Sequence, residues 1–257
     1  MENLTILISA VRYLFLLRKF SMTLIIGASG KKQSGKNTLC SSLEQVIKVK
    51  LGEDCKIYSF ADALKEKVCM EVMGLTREQC YGTDEQKNTS TMYEWEKLPR
   101  EIRHANKLEV EHASNGEICN VILPTGYMTA REIMQIVGTD IFRQYFDDSI
   151  WVNATFRSIK KDNLPFALIS DVRFPSEVEG VAKENGIIFR LLRDICEKDP
   201  HSSETALDNY DWDSVYNAYL IDNRETSIEQ TNEIIYDIFD VAVNCATMRK
   251  ILNTTKD

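Results

Sequence analysis

The feature that most constrains this chain is an apolar, β-branched run, Thr23 to Ala28 (TLIIGA), that leads through Gly30-Lys31-Lys32-Gln33-Ser34-Gly35-Lys36-Asn37-Thr38 into Leu39, Leu43, Val46 and Ile47 at helical spacing. This is a buried strand, a glycine loop and a helix. The spacing Gly30-x-x-x-x-Gly35-Lys36 matches a phosphate loop, in which glycines let successive backbone amides face a polyphosphate while the lysine reaches its outer phosphates. A nucleotide is the expected ligand. The pattern departs from the general one at Asn37, where Ser or Thr is usual; Thr38 could supply the hydroxyl near Mg²⁺, or Asn37 could act through water.

Four further apolar runs read as parallel strands: Ile57 to Phe60, Phe166 to Ile169, Ile187 to Leu192 and Ala218 to Ile221. Helical segments separate them. Ala61 to Met73 carries Ala61, Leu64, Val68 and Val72 on one face, and the helix from Thr129 carries Ile133, Ile136 and Val137. Thr129-x-x-Glu132 and Ser176-x-x-Glu179 are capping-box patterns, and a last helix starts near Ser227. Alternating strands and helices predict an α/β sheet covered on both faces. Residues 81–127 break the rhythm with polar clusters and one short strand candidate, Ile118 to Leu123, and read as an insertion.

Two more constellations carry chemistry. The strand Phe166 to Ile169 delivers Asp171 and Arg173 at its carboxyl end, where ligands of open α/β sheets bind. Asp171 suits magnesium held through water, or a substrate hydrogen bond, and Arg173 suits phosphate charge. Arg131, Gln135, Thr139 and Asp140 surround Gly138, which interrupts a helical pattern and allows close backbone approach. Trp151 suits either base stacking or the core. Arg190, Arg193, His201, Ser203 and Glu204 end or follow the fourth strand, the usual place for a mobile basic cover.

Composition narrows the partners. A net charge of −8 disfavours stable nucleic-acid binding by the whole surface. The seven cysteines form no C-x-x-C pair, and the three histidines no H-E-x-x-H, which points to a reduced, cytoplasmic chain without a protein-ligated transition metal. Leu4 to Leu17 is apolar but too short for a membrane span and interrupted by Arg12, so residues 1–21 read as an extension ahead of a start at Met22. Residues 22–245 then form the folded domain and 246–257 a tail.

Taken together, GKKQSGKNT (30–38), FADALKE (60–66), YGTDEQKN (81–88), MTAREIMQIVGTDIFRQ (128–144), SDVRFPSEVE (170–179) and HSSETAL (201–207) resemble the phage-type deoxynucleoside monophosphate kinases, in matching order. The resemblance implies a P-loop kinase fold, a three-layer sandwich around a five-stranded parallel sheet, that moves the γ-phosphoryl of ATP to a deoxynucleoside monophosphate. It implies that Gly30 and Ser34 to Thr38 bind ATP, with Lys36 on its outer phosphates and Lys32 between the two nucleotides. It puts Phe60, Ala61, Lys65, Arg131, Gly138, Thr139, Trp151, Asp171 and Glu177 at the acceptor, with Arg173 close by. Asn37 stands where the family commonly has Asp, which leaves its part in the metal shell open. In-line transfer with Mg²⁺ follows, with Lys36, Arg131, Asp171 and Arg173 as the catalytic set. Another small-molecule P-loop kinase and a non-catalytic nucleotide switch are the alternatives, and a homodimer is compatible with the monophosphate kinase reading. Asn106-Lys107-Leu108-Glu109 is a poor match to a guanine-reading motif.

Overall fold

A computed structural model describes residues 22–112, 118–194 and 205–254, and the chain divides into two compact units, residues 1–60 with 151–257, and Ala61–Ile150. The first unit opens with β1 (Leu24–Ser29), every residue of which is buried, and α1 (Lys36–Val46). Strand β2 (Cys55–Tyr58) follows. It ends two residues short of the expected Phe60, because the Phe60 amide leaves the ladder to donate to the carboxylate of Asp171 at 2.7 Å.

The second unit begins with a π-helix, Leu64–Val72. Its wider turn brings Cys69 rather than Val68 into line with Leu64, so both are buried, whereas Val72, expected on the apolar face, is 78% exposed. Two short helices, α2 (Arg77–Tyr81) and α3 (Asp84–Lys87), each start at a threonine with a glutamine three residues on, Thr76 with Gln79 and Thr83 with Gln86, and both pairs form complete capping boxes. Then come β3 (Ser90–Glu94), α4 (Arg100–Ala105), the antiparallel pair β4 (Glu109–His112) and β5 (Ile118–Ile122), and β6 (Tyr127–Thr129), antiparallel to β3. Residues 81–127 thus hold more strand than the single candidate foreseen. Helix α5 (Ala130–Gln135) starts at the expected box, Thr129 with Glu132, and continues as a π-helix over Ile136–Arg143.

The chain re-enters the first unit through α6 (Ile150–Asp162), β7 (Phe166–Val172), α7 (Pro175–Lys183), β8 (Ile187–Leu191), β9 (Ala218–Ile221) and α8 (Ile228–Thr254). Helix α7 starts at Pro175, ahead of the expected Ser176 box, and the glutamate that caps it is Glu177. Proline at the first helical position has no amide to satisfy and a preset φ, which favours this earlier start. Helix α8 runs to Thr254, through most of the stretch expected as a tail.

The sheet is five-stranded and parallel, in the order β2-β7-β1-β8-β9. Side chains alternate across it. Leu24, Ile26, Phe166, Leu168 and Phe189 pack with Leu39 and Leu43 of α1 and Ile235 and Phe239 of α8. Ile25, Ala167, Ile169 and Ile188 pack on the other face with Val152 and Ile159 of α6 and Val178 and Val181 of α7. Helices therefore cover both faces, the α/β sandwich that the alternation predicts. Among the described residues no helix is long and apolar enough to cross a membrane.

Candidate active site

The loop between β1 and α1 is built from backbone that few residues tolerate. Gly30 has φ +152° and Gly35 φ +104°, and a Cβ on Gly30 would lie 2.4 Å from Ser34 Oγ and 3.1 Å from the Leu191 carbonyl oxygen. Gln33, at φ 60°, is a left-handed residue that is not glycine. Lys36 is 7% exposed and folds back over the loop, its Nζ donating to the carbonyls of Gly30 at 2.7 Å and Lys31 at 2.6 Å. Lys31 pairs with Asp208, and Lys32 is half-buried. Ser34 is fully buried, and its Oγ has no hydrogen-bond partner among the described residues. Asn37 and Thr38 are exposed on the first turn of α1. Such a loop, with a retractable ammonium and an unsatisfied hydroxyl, can accept an anion.

The carboxyl ends of the neighbouring strands are tied together around Asp171. Its Oδ1 accepts from the Phe60 amide at 2.7 Å and its Oδ2 from Ser59 Oγ at 2.5 Å. Ser29 Oγ donates to the Val172 carbonyl at 2.9 Å and accepts from Arg190 Nη1 at 3.0 Å, which joins β7, β1 and β8. Arg190 also lies over the Trp212 ring, 5.4 Å from its centroid, and burial pulls its pKa below the usual arginine value. The buried carboxylate of Glu177 accepts from the amides of Arg173 at 2.6 Å and Phe174 at 3.1 Å, so this predicted acceptor residue caps α7 and sets the backbone that carries Arg173. Beneath the loop, burial pushes the Cys40 thiol up to about 12; the charge on Asp171 adds to this and that on Lys36 opposes it.

Arg193, foreseen as part of a basic cover, is committed to the backbone: Nε donates to the Asn223 carbonyl at 2.8 Å and Nη2 to the Thr226 carbonyl at 2.5 Å. Asn223 in turn accepts from the Arg193 amide at 2.8 Å and donates to the Ser34 carbonyl at 2.9 Å. His201, Ser203 and Glu204 lie outside the described residues. The Phe60 ring is buried in the core against Phe156, and Trp151 is buried as well.

In the second unit, Arg131 is held from one short segment: Nε donates to Asn88 Oδ1 at 3.0 Å and Nη2 to Asp84 Oδ1 at 2.5 Å. A Cβ on Gly138 would lie 2.6 Å from Leu64 Cδ2, so the close approach that glycine permits is to this side chain. Thr139 and Asp140 are half-buried beside it, and Asp140 accepts from Asn106 Nδ2 at 2.8 Å. Ala61 is also half-buried. Lys65 Nζ lies over the Tyr81 ring, 4.6 Å from its centroid, while the Tyr81 hydroxyl donates to Asp62 at 3.0 Å and Glu66 at 3.3 Å. Burial and then the Asp62 charge raise the Tyr81 pKa.

Ser59, Asn223, Asp84 and Asn88 are the site neighbours that sequence reasoning missed. No period marks a lone polar residue, although Asp84 and Asn88 lie inside the YGTDEQKN segment that carries part of the resemblance. No group of three or more His, Cys, Asp or Glu side chains suited to a metal ion occurs among the described residues.

Residues 24–230 match a family model described as deoxynucleotide monophosphate kinase. A protein of Acanthamoeba polyphaga mimivirus that carries a provisional deoxynucleotide monophosphate kinase name is 30% identical over 217 residues, covering 78% of this chain and 89% of its own length. The deoxynucleoside-5'-monophosphate kinase of Escherichia phage T5 is 31% identical over 105 residues, 41% of this chain and 39% of its own length.

Proposed function

The chain belongs to the deoxynucleotide monophosphate kinase family, and from that premise we propose that it transfers the γ-phosphoryl group of ATP directly to a deoxynucleoside monophosphate. The observation that carries this reading is the phosphate loop, with its buried, retracted Lys36, inside a family match that spans both compact units.

The donor side falls to the first unit. The amides of Ser34 to Thr38 face the phosphates of ATP, and Lys36 exchanges the Gly30 and Lys31 carbonyls for phosphate oxygens. Magnesium suits an all-oxygen donor set, and the exposed Thr38 hydroxyl together with Asp171 acting through water fits it. When bound it supplies neutralisation of the charge on the β and γ phosphates. The Asp171 carboxylate, fixed by Ser59 and Phe60, holds water or the acceptor rather than moving in the reaction. Arg173 follows it on backbone that Glu177 fixes.

The acceptor side draws on the second unit. Arg131 takes the monophosphate as a planar, bidentate donor, and Lys65, Gly138 and Thr139 contribute to the same binding. Lys32 of the phosphate loop, with Ala61 and Trp151, belongs to this part of the reading too. Catalysis is positioning and charge stabilisation in this reading; the Cys40 thiol beneath the loop is held neutral by burial and does not serve as a nucleophile. The free, buried thiols of Cys40, Cys55, Cys69 and Cys80 fit a reduced cytoplasmic compartment.

A coupled assay over the four common deoxynucleoside monophosphates, with their ribose counterparts as controls and ATP as donor, tests the proposal. Turnover of at least one deoxynucleotide, abolished by chelation of Mg²⁺, is the expected result. Transfer to none of them by a folded protein that binds ATP would favour a nucleotide switch or a kinase for another acceptor.

A further inference from the structure

Arg131 occupies an odd place for a cation. It is the second residue of α5, at the positive end of the helix, where an arginine is electrostatically disfavoured. The structure surrounds it with a compensating frame. Ser90 pairs with Thr129 across β3 and β6, the Thr89 carbonyl accepts from the Ala130 amide at 3.1 Å, and Asn88 and Asp84 accept from Arg131. The three steps continue one antiparallel register, so residues 88–90 run alongside residues 129–131. The capping box of Thr83 and Gln86 fixes the turn that presents Asp84, and Thr89 Oγ1 donates to the Gln86 carbonyl at 2.7 Å.

The geometry of the guanidinium is what gives this frame a use. Its Nε and Nη2 point along one edge, and that edge is taken by Asn88 Oδ1 and Asp84 Oδ1. The donors of the Nη1 and Nη2 edge are the ones a bidentate phosphate would use. The Arg131 side chain is 27% exposed and that of Asp84 48%, and a pair so open to water adds little to stability. Fixing a rotamer is the larger effect, because an arginine side chain otherwise loses much of its freedom when substrate arrives.

We propose that Asp84 and Asn88 are positioning residues that grip one edge of Arg131 and hold its other edge in place for the monophosphate of the acceptor. The inference rests on the reading of Arg131 given above. It makes the YGTDEQKN segment a determinant of acceptor affinity, although neither residue is required to touch the nucleotide.

Steady-state kinetics on the full chain test it, with each substrate varied while the other saturates. Asp84→Ala should lower kcat/KM for the deoxynucleotide about tenfold and leave the KM for ATP within about twofold. Asp84→Asn, whose amide oxygen can accept the same bond, should keep most of the activity, and Asn88→Ala should resemble Asp84→Ala. In an Arg131→Ala background, Asp84→Ala should change acceptor kinetics by less than about twofold. Equal losses in both backgrounds, or an impaired Arg131→Ala beside harmless Asp84→Ala and Asn88→Ala, would overturn the positioning role while leaving Arg131 in the acceptor site. Unchanged acceptor kinetics in Arg131→Ala would overturn both the inference and the placement of Arg131. Thermal melts accompany every variant; if Asp84→Ala fails to fold, Asn88→Ala carries the same comparison.

Discussion

Asn223 Nδ2 donates to the carbonyl oxygen of Ser34 at 2.9 Å, from a position 189 residues further along the chain. The same side chain accepts from the Arg193 amide, so one buried asparagine joins the phosphate loop to the segments that follow β8 and β9. Asn223→Leu, close in volume, would strand the buried Ser34 carbonyl and the part-buried Arg193 amide and should cost about 2–3 kcal/mol in urea unfolding. Because one of those groups belongs to the loop, ATP binding should weaken more than deoxynucleotide binding. Asn223→Asp, which keeps the acceptor for Arg193, should recover part of the stability but not the ATP affinity. A variant with wild-type affinity for ATP would separate the loop from this contact.

Lys36→Ala should reduce turnover by roughly a hundredfold or more, the scale for removing one donor from a developing charge. The fold should survive, since the bonds from Lys36 Nζ to the Gly30 and Lys31 carbonyls lie within the loop, and these carbonyls can turn to water. Melting curves set beside initial rates check both halves. Near-normal turnover in a folded variant would remove Lys36 from the reaction.

Gly138→Ala is expected to destabilise the protein by about 1–3 kcal/mol, as an overpacked core does. The added Cβ meets Leu64 Cδ2 at 2.6 Å, and Leu64 is itself buried. Leu64→Val should therefore cost less in the Gly138→Ala background than alone. Denaturant unfolding of the two single variants and the double variant measures this coupling; strict additivity would mean that the glycine answers to something other than Leu64.

Alkaline pH should destabilise the fold through its thiols. Burial pushes Cys40 up to about 12 and Cys55 up to about 11, from an ordinary value of 9.0, and raises Cys69 to about 12. A raised pKa means that the folded state keeps its protons longer. The stabilisation is complete below pH 9 and is lost as pH climbs toward 11 and 12, at up to about 1.4 kcal/mol per pH unit for each thiol. Urea midpoints recorded from pH 8 to 10 should fall, and Cys40→Ala should flatten the slope even if it lowers stability at pH 8. A midpoint that rises over this range would contradict the assignment.

The strands of the sheet were legible because burial on both faces leaves near-continuous apolar runs, and the Thr129 box because its two partners are close in sequence. The register of α7 was not, since Ser176 and Glu179 satisfy the same pattern that Pro175 and Glu177 pre-empt. Val72 turns outward for a related reason: a period of 3.6 cannot anticipate a π-helix. Lys36, Asp171 and Arg131 could be picked out as charges beside apolar or glycine-bearing segments. Their neighbours could not, because Ser59 meets Asp171 across 112 residues and Asp84 meets Arg131 across 47, and no local spacing marks either contact. The resemblance carries the order of the motifs, not the hydrogen bonds between them.

The central position of β1 also sets a timetable for synthesis. Its neighbours in the sheet are β7 and β8, and Ser29 bonds to a carbonyl 143 residues further on. At elongation rates of about 5–20 residues per second, the apolar run of β1 waits on the order of ten seconds before either flanking strand exists. During that interval the most buried strand of the finished protein is a sticky, unpaired segment of nascent chain. Substitutions that raise its tendency to self-associate should therefore lower the yield of soluble protein without changing the stability of the molecules that do fold.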